Sequence, residues 1–265
     1  MGAKMPLTFR TLWLSDIHLG NPAARAGDLL QFLDSVSAER IYLVGDIIDL
    51  LKIKVRPRFP DVHRQVVTRL IRLANSDTEV IYIPGNHDFE FRDLAGRDIC
   101  GVPVALEAVH ETRDGARLLI AHGDILDGEI RRGTNLEHFG AAAYNLIMRL
   151  DVAINQLRSR LGHDYLSISR HIKARLASAN EYIRRFEEIA ARYAATRGFD
   201  GIVCGHIHRP GVRRIDGVWY ANDGDWVEHR TALAEAHDGS LQILHWHQDG
   251  IVAEPATAAA AALAA

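Results

Sequence analysis

The 265-residue sequence has few cysteines, no basic excess and no long apolar run. Its only cysteines, Cys100 and Cys204, have apolar neighbours, which predicts buried free thiols and suits a reducing compartment. No apolar run approaches the length of a membrane span, and residues 1–6 lack the apolar segment of a secretory signal. The formal net charge of −3 argues against a nucleic-acid-binding protein. We therefore expect a cytoplasmic protein without a nucleic-acid partner.

Apolar runs and amphipathic segments alternate through the first third of the chain. Residues 11–15, 41–44 and 80–84 are predicted as buried strands. Residues 26–36 and 61–74 carry apolar side chains at helical spacing. This order predicts parallel strands joined by helices, and such sheets form their sites at the carboxyl ends of the strands.

The second half of the chain contains antiparallel hairpin signals. Three Asp-Gly pairs separate short apolar runs, at Asp114-Gly115, Asp216-Gly217 and Asp238-Gly239. We expect these hairpins to form a second sheet that packs against the first. The length of the chain fits one large domain, which we place at residues 1–250, followed by an Ala-rich disordered tail at 251–265.

Residues 128–198 interrupt this domain with helical patterns and no strand signal. The segment holds twelve basic and seven acidic residues, although the whole chain is slightly acidic. We predict a helical insertion that forms a lid over the active site. Arg149, Lys173 and Arg175 are candidates for substrate binding, because helical spacing can aim them at the cleft and an arginine fork suits a diphosphate. A solvated basic face is the alternative.

Five short motifs, each after an apolar run, contain the candidate metal ligands. Together they offer carboxylate, imidazole and amide groups, a mixture that suits two divalent cations. Two such cations, about 3.5–4 Å apart, can hold a phosphate and activate water. The motifs are Asp16-Ile17-His18, Gly45-Asp46, Gly85-Asn86-His87-Asp88, His122-Gly123-Asp124 and Gly205-His206-Ile207-His208.

In this order the motifs resemble those of the calcineurin-like metallophosphoesterase superfamily. The resemblance implies an α/β fold, a four-layer sandwich of two mixed sheets flanked by helices, around two divalent metal ions. It also implies that His87 assists the leaving oxygen as a proton donor or charge stabiliser, oriented by Asp88. The implied ligands are Asp16, His18, Asp46 and His208 for one metal, and Asp46, Asn86, His122 and His206 for the other.

A narrower resemblance is to the UDP-2,3-diacylglucosamine diphosphatase family, carried by residues 85–89, residues 122–124, the long insertion and residues 220–228 (Tyr-Ala-Asn-Asp-Gly-Asp-Trp-Val-Glu). It implies manganese and a lipid-linked pyrophosphate substrate, with acyl chains held by the lid, which is then a candidate for peripheral contact with the inner membrane. The ligand set also accepts iron or zinc. His87 stands where that family carries arginine, which favours a paralogue acting on another phosphodiester.

Two alternatives to this function stay open. One is a general phosphodiesterase or phosphatase with a different substrate, and the other is a binding module that keeps the fold without the chemistry. The complete ligand set argues against the module.

Two acidic residues in or beside the motifs have two interpretations each. Asp49 is either a partner of a ligand or a helix cap, and Asp124 is either a partner of a ligand or a turn residue. The sequence gives no indication of the oligomeric state.

Overall fold

Two mixed β-sheets and their connecting helices make up most of the computed structural model of the chain. The structure describes residues 6–132 and 169–256. Contacts divide the chain into two units, one of Met1–Ile125 with Ala190–Ala265 and one of Leu126–Ile189. In chain order the elements are β1 (Leu7–Leu14), α1 (Ala26–Ser35), β2 (Val36–Val44), α2 (Leu50–Val55), α3 (Asp61–Ala74), β3 (Glu79–Ile83), β4 (Asp98–Ile99), β5 (Val102–Pro103), β6 (Ala108–Glu111), β7 (Arg117–Ile120), α4 (Asp127–Arg132), α5 (Ser169–Thr196), β8 (Gly201–Cys204), β9 (Gly211–Ile215), β10 (Val218–Asn222), β11 (Thr231–Glu235), β12 (Leu241–His247) and β13 (Gly250–Pro255).

The first sheet has six strands in the order β13-β12-β11-β1-β2-β3. Strands β1, β2 and β3 are parallel, as their alternation with helices predicts. Leu29 and Phe32 of α1 and Val66 of α3 join the apolar core on one face of this sheet. The predicted strand–helix order is therefore confirmed, and β2 begins earlier than the apolar run predicts, with residues 36–40 alternating between exposed and more buried positions.

The second sheet has five strands in the order β6-β7-β8-β10-β9 and is also mixed. Its central pairs, β7 with β8 and β8 with β10, are parallel, while the two outer pairs are antiparallel. Two of the three predicted hairpins lie here. The prediction was wrong for the third, because β11 pairs with β1 in the first sheet. Every residue of β11 is buried, as a strand inside a sheet requires.

Side chains from both sheets form a second core between them. Trp13 and Tyr42 come from the first sheet, and Ile120 and Val203 come from the second. The Trp13 and Tyr42 rings are stacked with centroids 5.9 Å apart. This packing joins the two sheets and brings the carboxyl ends of β1, β2, β3, β7 and β8 to one side of the domain, where the loops that follow these strands meet.

Two predictions about the surface need correction. Residues 251–255 were assigned to the tail, but they belong to β13, which extends the first sheet at its edge. Cys100 was expected to be buried, yet it is exposed in the turn between β4 and β5, where its φ is 55°. Cys204 is buried as expected, and both thiols are free.

The described parts of the predicted insertion are helical. Helix α4 begins the segment and α5 ends it, and Tyr182 of α5 donates a hydrogen bond of 2.9 Å to Asp127 of α4. The rest of the predicted lid, residues 133–168, lies outside the described residues. Within the described part of the chain, no helix is both long and apolar enough to cross a lipid bilayer.

Candidate metal centre

The predicted metal-binding residues meet in the loops that follow five strands. Backbone hydrogen bonds hold these loops together: Asp16 N donates to Gly45 O (3.0 Å), and Gly205 N donates to His122 O (3.1 Å). The first bond joins the loops after β1 and β2, and the second joins the loops after β7 and β8. The site is thus built from both sheets at the carboxyl ends of their parallel strands, where open α/β sheets form their sites.

One group of candidate ligands consists of Asp16, His18 and His208. Each residue can offer an atom within 4.8 Å of the atoms offered by the others. His208 Nε2 lies 3.0 Å and His18 Nε2 lies 3.7 Å from Asp16 Oδ1. Asp16 is completely buried, whereas the His208 side chain is about one third exposed, so the group opens towards solvent on the His208 side.

A second group consists of Asp16, Asp46 and His122. His122 Nε2 lies 3.5 Å from Asp46 Oδ1 and 3.3 Å from the amide oxygen of Asn86. His122 Nδ1 donates to the backbone oxygen of Val44 at 2.8 Å. Because a carbonyl only accepts, this bond fixes the proton on Nδ1 and leaves Nε2 as the ligating atom.

Asp46, a member of the second group, also faces His18 of the first. Its Oδ1 faces His122, and its Oδ2 lies 3.8 Å from His18 Nε2. This arrangement suits the bridging role that its sequence position implies. The His206 ring contacts the His122 ring edge-on with centroids 5.2 Å apart, and the His206 backbone N–H donates to Asp16 Oδ2 at 2.9 Å. The structure therefore brings all seven predicted ligands into one region.

Five of these seven ligands adopt a left-handed backbone conformation. Such φ values are uncommon outside glycine and cost free energy that the rest of the fold must supply. Strained residues cluster at functional sites, and here they coincide with the candidate ligands. The residues are Asp16 (50°), His18 (53°), Asp46 (54°), His206 (68°) and His208 (53°).

The glycines of the motifs make room for the ligands. A Cβ on Gly85 would lie 2.3 Å from Asp46 Oδ1, and a Cβ on Gly205 would lie 2.4 Å from Asp16 Oδ2. Neither glycine has a positive φ, so the requirement is for space and not for backbone freedom. Gly-Asn-His-Asp and Gly-His-Ile-His thus contain glycine because a ligand from another loop packs against it.

Asp49, and not Asp88, holds the candidate proton donor His87. Asp49 Oδ1 accepts from His87 Nδ1 at 3.1 Å, and the same oxygen accepts from Lys52 N at 2.9 Å, which caps α2. The helix-cap interpretation of Asp49 is therefore confirmed, and the imidazole hydrogen-bonded to its side chain is that of the candidate proton donor His87 and not of a metal ligand. His87 Nε2 lies 3.9 Å from Asp46 Oδ2, so the ring faces the ligand groups.

The prediction that Asp88 orients His87 was wrong. Asp88 is buried and accepts hydrogen bonds from Gly85 N (2.6 Å), Ile47 N (2.7 Å) and the Tyr82 hydroxyl (2.5 Å). Asp88 therefore links the loop after β2 to the loop after β3 through hydrogen bonds.

Charges concentrate strongly in the site. Burial lowers the pKa of the His122 and His208 imidazoles, but Asp46 beside His122 and Asp16 beside His208 outweigh it and raise these pKa values to about 10 and about 9. Burial raises the pKa of Asp46, yet His122 outweighs this effect and lowers it to about 2. Asp46 and Asp16 thus stabilise the positively charged forms of the His122 and His208 imidazoles.

The donor set fits divalent cations. Among the described residues, none is hydrogen-bonded to the buried His18 Nδ1. The buried Asp16 Oδ1 has the His208 and His18 imidazoles nearby, at 3.0 Å and 3.7 Å, and a cation there would bind the carboxylate and both rings. Carboxylate, imidazole and amide ligands together suit manganese, iron or zinc.

Two buried residues of the site were not singled out from the sequence. Ser15 and Asp223 form a hydrogen-bonded pair beside Asp16. Ser15 directly precedes a candidate ligand at the end of β1, which is the signal that could have identified it.

Asp124 accepts two hydrogen bonds of 2.8 Å from Arg92, so it connects its loop to the segment after β3.

No contact described by the structure places the predicted substrate-binding residues at the site. Arg149 lies outside the described residues. Lys173 and Arg175 lie in α5, but their side chains are also outside the described part of the structure.

Comparisons with known proteins agree with this geometry. The family model described as calcineurin-like phosphoesterase matches residues 9–210. A UDP-2,3-diacylglucosamine hydrolase of Neisseria meningitidis serogroup B is 24% identical and is aligned over 92% of this chain and 96% of its own length. A protein with the same name from Azotobacter vinelandii is 28% identical over 77% of this chain and 84% of its own.

A solved structure with partial similarity is that of Yfce, a phosphoesterase from E. coli. It is 18% identical, has a TM-score of 0.47, and covers 93% of this chain and 98% of its own. The family match covers most of the chain, including all five motifs and the two ligand groups. This chain is therefore a hydrolase of the calcineurin-like phosphoesterase family.

Proposed function

We propose that the protein hydrolyses a phosphodiester or pyrophosphate bond with the help of two divalent cations. The observation that carries this proposal is the pair of ligand groups, Asp16-His18-His208 and Asp16-Asp46-His122, with the two oxygens of Asp46 directed towards different histidines. Bound cations would supply Lewis-acid chemistry, which polarises the phosphoryl group and lowers the pKa of water. Manganese is our first choice because of the narrower resemblance in sequence.

His87 is proposed as the donor to the leaving oxygen. Burial lowers its pKa, but the hydrogen bond to Asp49 and the charge of Asp46 outweigh burial, so the net pKa is raised. The raised pKa favours the protonated imidazole, which is the form that a proton donor needs. With Nδ1 held by Asp49, Nε2 is the atom that can pass a proton to the leaving group.

Our proposal for the substrate class is based on the relatives and on His87 together. Relatives named UDP-2,3-diacylglucosamine hydrolase align over most of the chain, which supports a substrate of the nucleotide-linked pyrophosphate type. A histidine where the resembled family carries arginine supports a different compound of that chemical class. We propose a small-molecule or lipid-linked phosphodiester or pyrophosphate as the substrate.

The test combines metal analysis with a panel of substrates. The purified protein, reconstituted with manganese, is assayed on UDP-2,3-diacylglucosamine, a bis-aryl phosphodiester and an aryl phosphomonoester. We expect about two metal ions per chain and turnover of at least one of the first two. Turnover of the monoester alone would overturn the reaction class.

Variants locate the activity in the site. His122→Ala is expected to lose at least about two orders of magnitude in kcat/KM, because it removes both a ligand and the partner of Asp46. His245→Ala is the matched control, since this imidazole lies on β12 and pairs with Glu254 at 3.0 Å. Equal activity of the two variants would exclude the proposed centre.

A further inference from the structure

A buried serine and a buried carboxyl group lie behind Asp16. Ser15 Oγ is 2.6 Å from Asp16 Oδ2 and 2.5 Å from Asp223 Oδ1. All three residues are at most 1% exposed. Ser15 directly follows β1 and Asp223 directly follows β10, so the contact joins the two sheets. The metal chemistry does not account for Asp223.

The distances between Ser15 Oγ and the two carboxylate oxygens determine how many protons these three groups share. A hydroxyl group has one hydrogen to donate, and an ionised carboxylate can only accept. Both separations at Ser15 Oγ have the length of strong O–H···O hydrogen bonds, so each needs its own proton. Ser15 supplies one proton. The second must reside on Asp16 or on Asp223.

The surroundings assign the second proton. Asp16 Oδ2 also accepts the His206 backbone N–H at 2.9 Å, and Asp16 Oδ1 lies 3.0 Å from His208 Nε2, so a negative charge on Asp16 is stabilised. At Asp223, the buried Oδ2 accepts no hydrogen bond from any residue the structure describes. An ionised carboxylate with that orphaned oxygen would be far costlier than a neutral acid.

We infer that Asp223 is a neutral carboxylic acid that donates its proton to Ser15 Oγ, so that Ser15 donates its own proton to Asp16 Oδ2. Burial raises the pKa of Asp223 well above its ordinary value, in agreement with this direction of the hydrogen bonds. Asp223 is then a positioning residue. It fixes Asp16 Oδ2 and leaves Oδ1 facing His18 and His208.

This arrangement also limits the charge of the centre. A second ionised carboxylate directly behind Asp16 would add negative charge without a ligand atom. The neutral acid provides the same hydrogen bond without that charge. The role of Asp16 as a ligand rests on the proposed function, whereas the proton on Asp223 does not.

Infrared spectroscopy of the metal-free protein tests the proton directly. The difference spectrum between wild type and Asp223→Asn should contain the carbonyl band of a protonated carboxyl group. Asp238→Asn is the matched control, because Asp238 is an exposed turn residue, and its difference spectrum should lack that band. A wild-type minus Asp223→Asn spectrum without the band would overturn the inference.

Metal titration tests the positioning role. Asp223→Leu should weaken manganese binding about 10- to 100-fold, the usual effect of removing a partner of a ligand. Asp223→Asn should restore most of this affinity, because an amide N–H can replace the acid as donor to Ser15. Wild-type affinity in the leucine variant, or no rescue by asparagine, would contradict the role. A wild type that turns over neither UDP-2,3-diacylglucosamine nor the bis-aryl phosphodiester would refute the proposed function and leave the infrared result standing.

Discussion

Replacing Gly205 with alanine should damage the metal centre without unfolding the protein. A Cβ at this position would lie 2.2 Å from Ser15 Oγ and 2.4 Å from Asp16 Oδ2. Real Cβ atoms essentially never come closer than 3.0 Å to such neighbours, so the two oxygens must withdraw by at least about 0.8 Å and 0.6 Å. Gly205 has no positive φ, so backbone strain does not contribute.

The expected magnitude follows from this displacement. Catalytic groups must stay within about 0.5 Å of their productive geometry, and a misplacement of about 1 Å can cost about 100-fold in rate. We therefore expect kcat/KM for a bis-aryl phosphodiester to fall about 100-fold in Gly205→Ala, with weaker manganese binding. The free energy of unfolding should fall by about 1–3 kcal/mol, the usual cost of overpacking, so the variant should still fold.

Gly27→Ala is the matched control. Gly27 lies in α1, and a Cβ there would meet nothing closer than Val62 Cγ2 at 4.0 Å. This variant should keep full activity and gain about 0.5–1 kcal/mol of stability from the better helix former. The assays are steady-state hydrolysis, metal analysis and thermal unfolding. If Gly205→Ala kept its metal and its kcat/KM within about threefold of wild type, the steric reasoning would be refuted.

Two further predictions concern protons in the site. Because the pKa values of His122 and His208 are about 10 and about 9 in the metal-free protein, metal binding near pH 7.5 should release about two protons and strengthen as pH rises. Calorimetric titration in buffers of different ionisation enthalpy measures this release, and heats that do not depend on the buffer would contradict it. Asp49→Asn should lower the pKa of His87, so the alkaline limb of the kcat profile should move to lower pH; an unmoved limb would exclude His87 as the donor.

Much of the fold and the candidate site could be predicted from local sequence. Apolar runs alternate with amphipathic segments in the first third, and this alternation dictates parallel strands whose carboxyl ends share one edge. Asp16 and Asp46 each follow such a strand, so their proximity is a consequence of the topology. His122 and His206 follow β7 and β8, which form a parallel pair of the same kind.

The partner of His87 could not be predicted in this way. Asp88 is its neighbour in sequence, but the carboxylate of Asp88 accepts hydrogen bonds from backbone amides of two loops. Asp49 reaches His87 from the start of α2, across the gap between two loops. Such contacts depend on how loops pack in space, and local patterns do not encode them.

The sequence also did not indicate to which sheet the last hairpin belongs. Strand β11 ends at Glu235, a charged residue that would normally indicate an exposed position. In the structure Glu235 is fully buried, because Arg10, His110 and the backbone N–H of Arg113 all donate to it. Those partners lie more than 100 residues away in the chain. Long-range neutralisation of this kind lets a polar residue end a central strand.

The spacing of the ligands in two of the motifs has a conformational reason. In Asp16-Ile17-His18 and in His206-Ile207-His208, the outer residues are left-handed and the isoleucine is not. Aspartate and histidine tolerate this conformation better than other side chains, whereas a β-branched residue at positive φ is a genuine outlier. Each outer position must therefore offer a ligand atom and also accept a left-handed backbone. These two demands together explain why the chain places these residue types two positions apart at the ends of its strands.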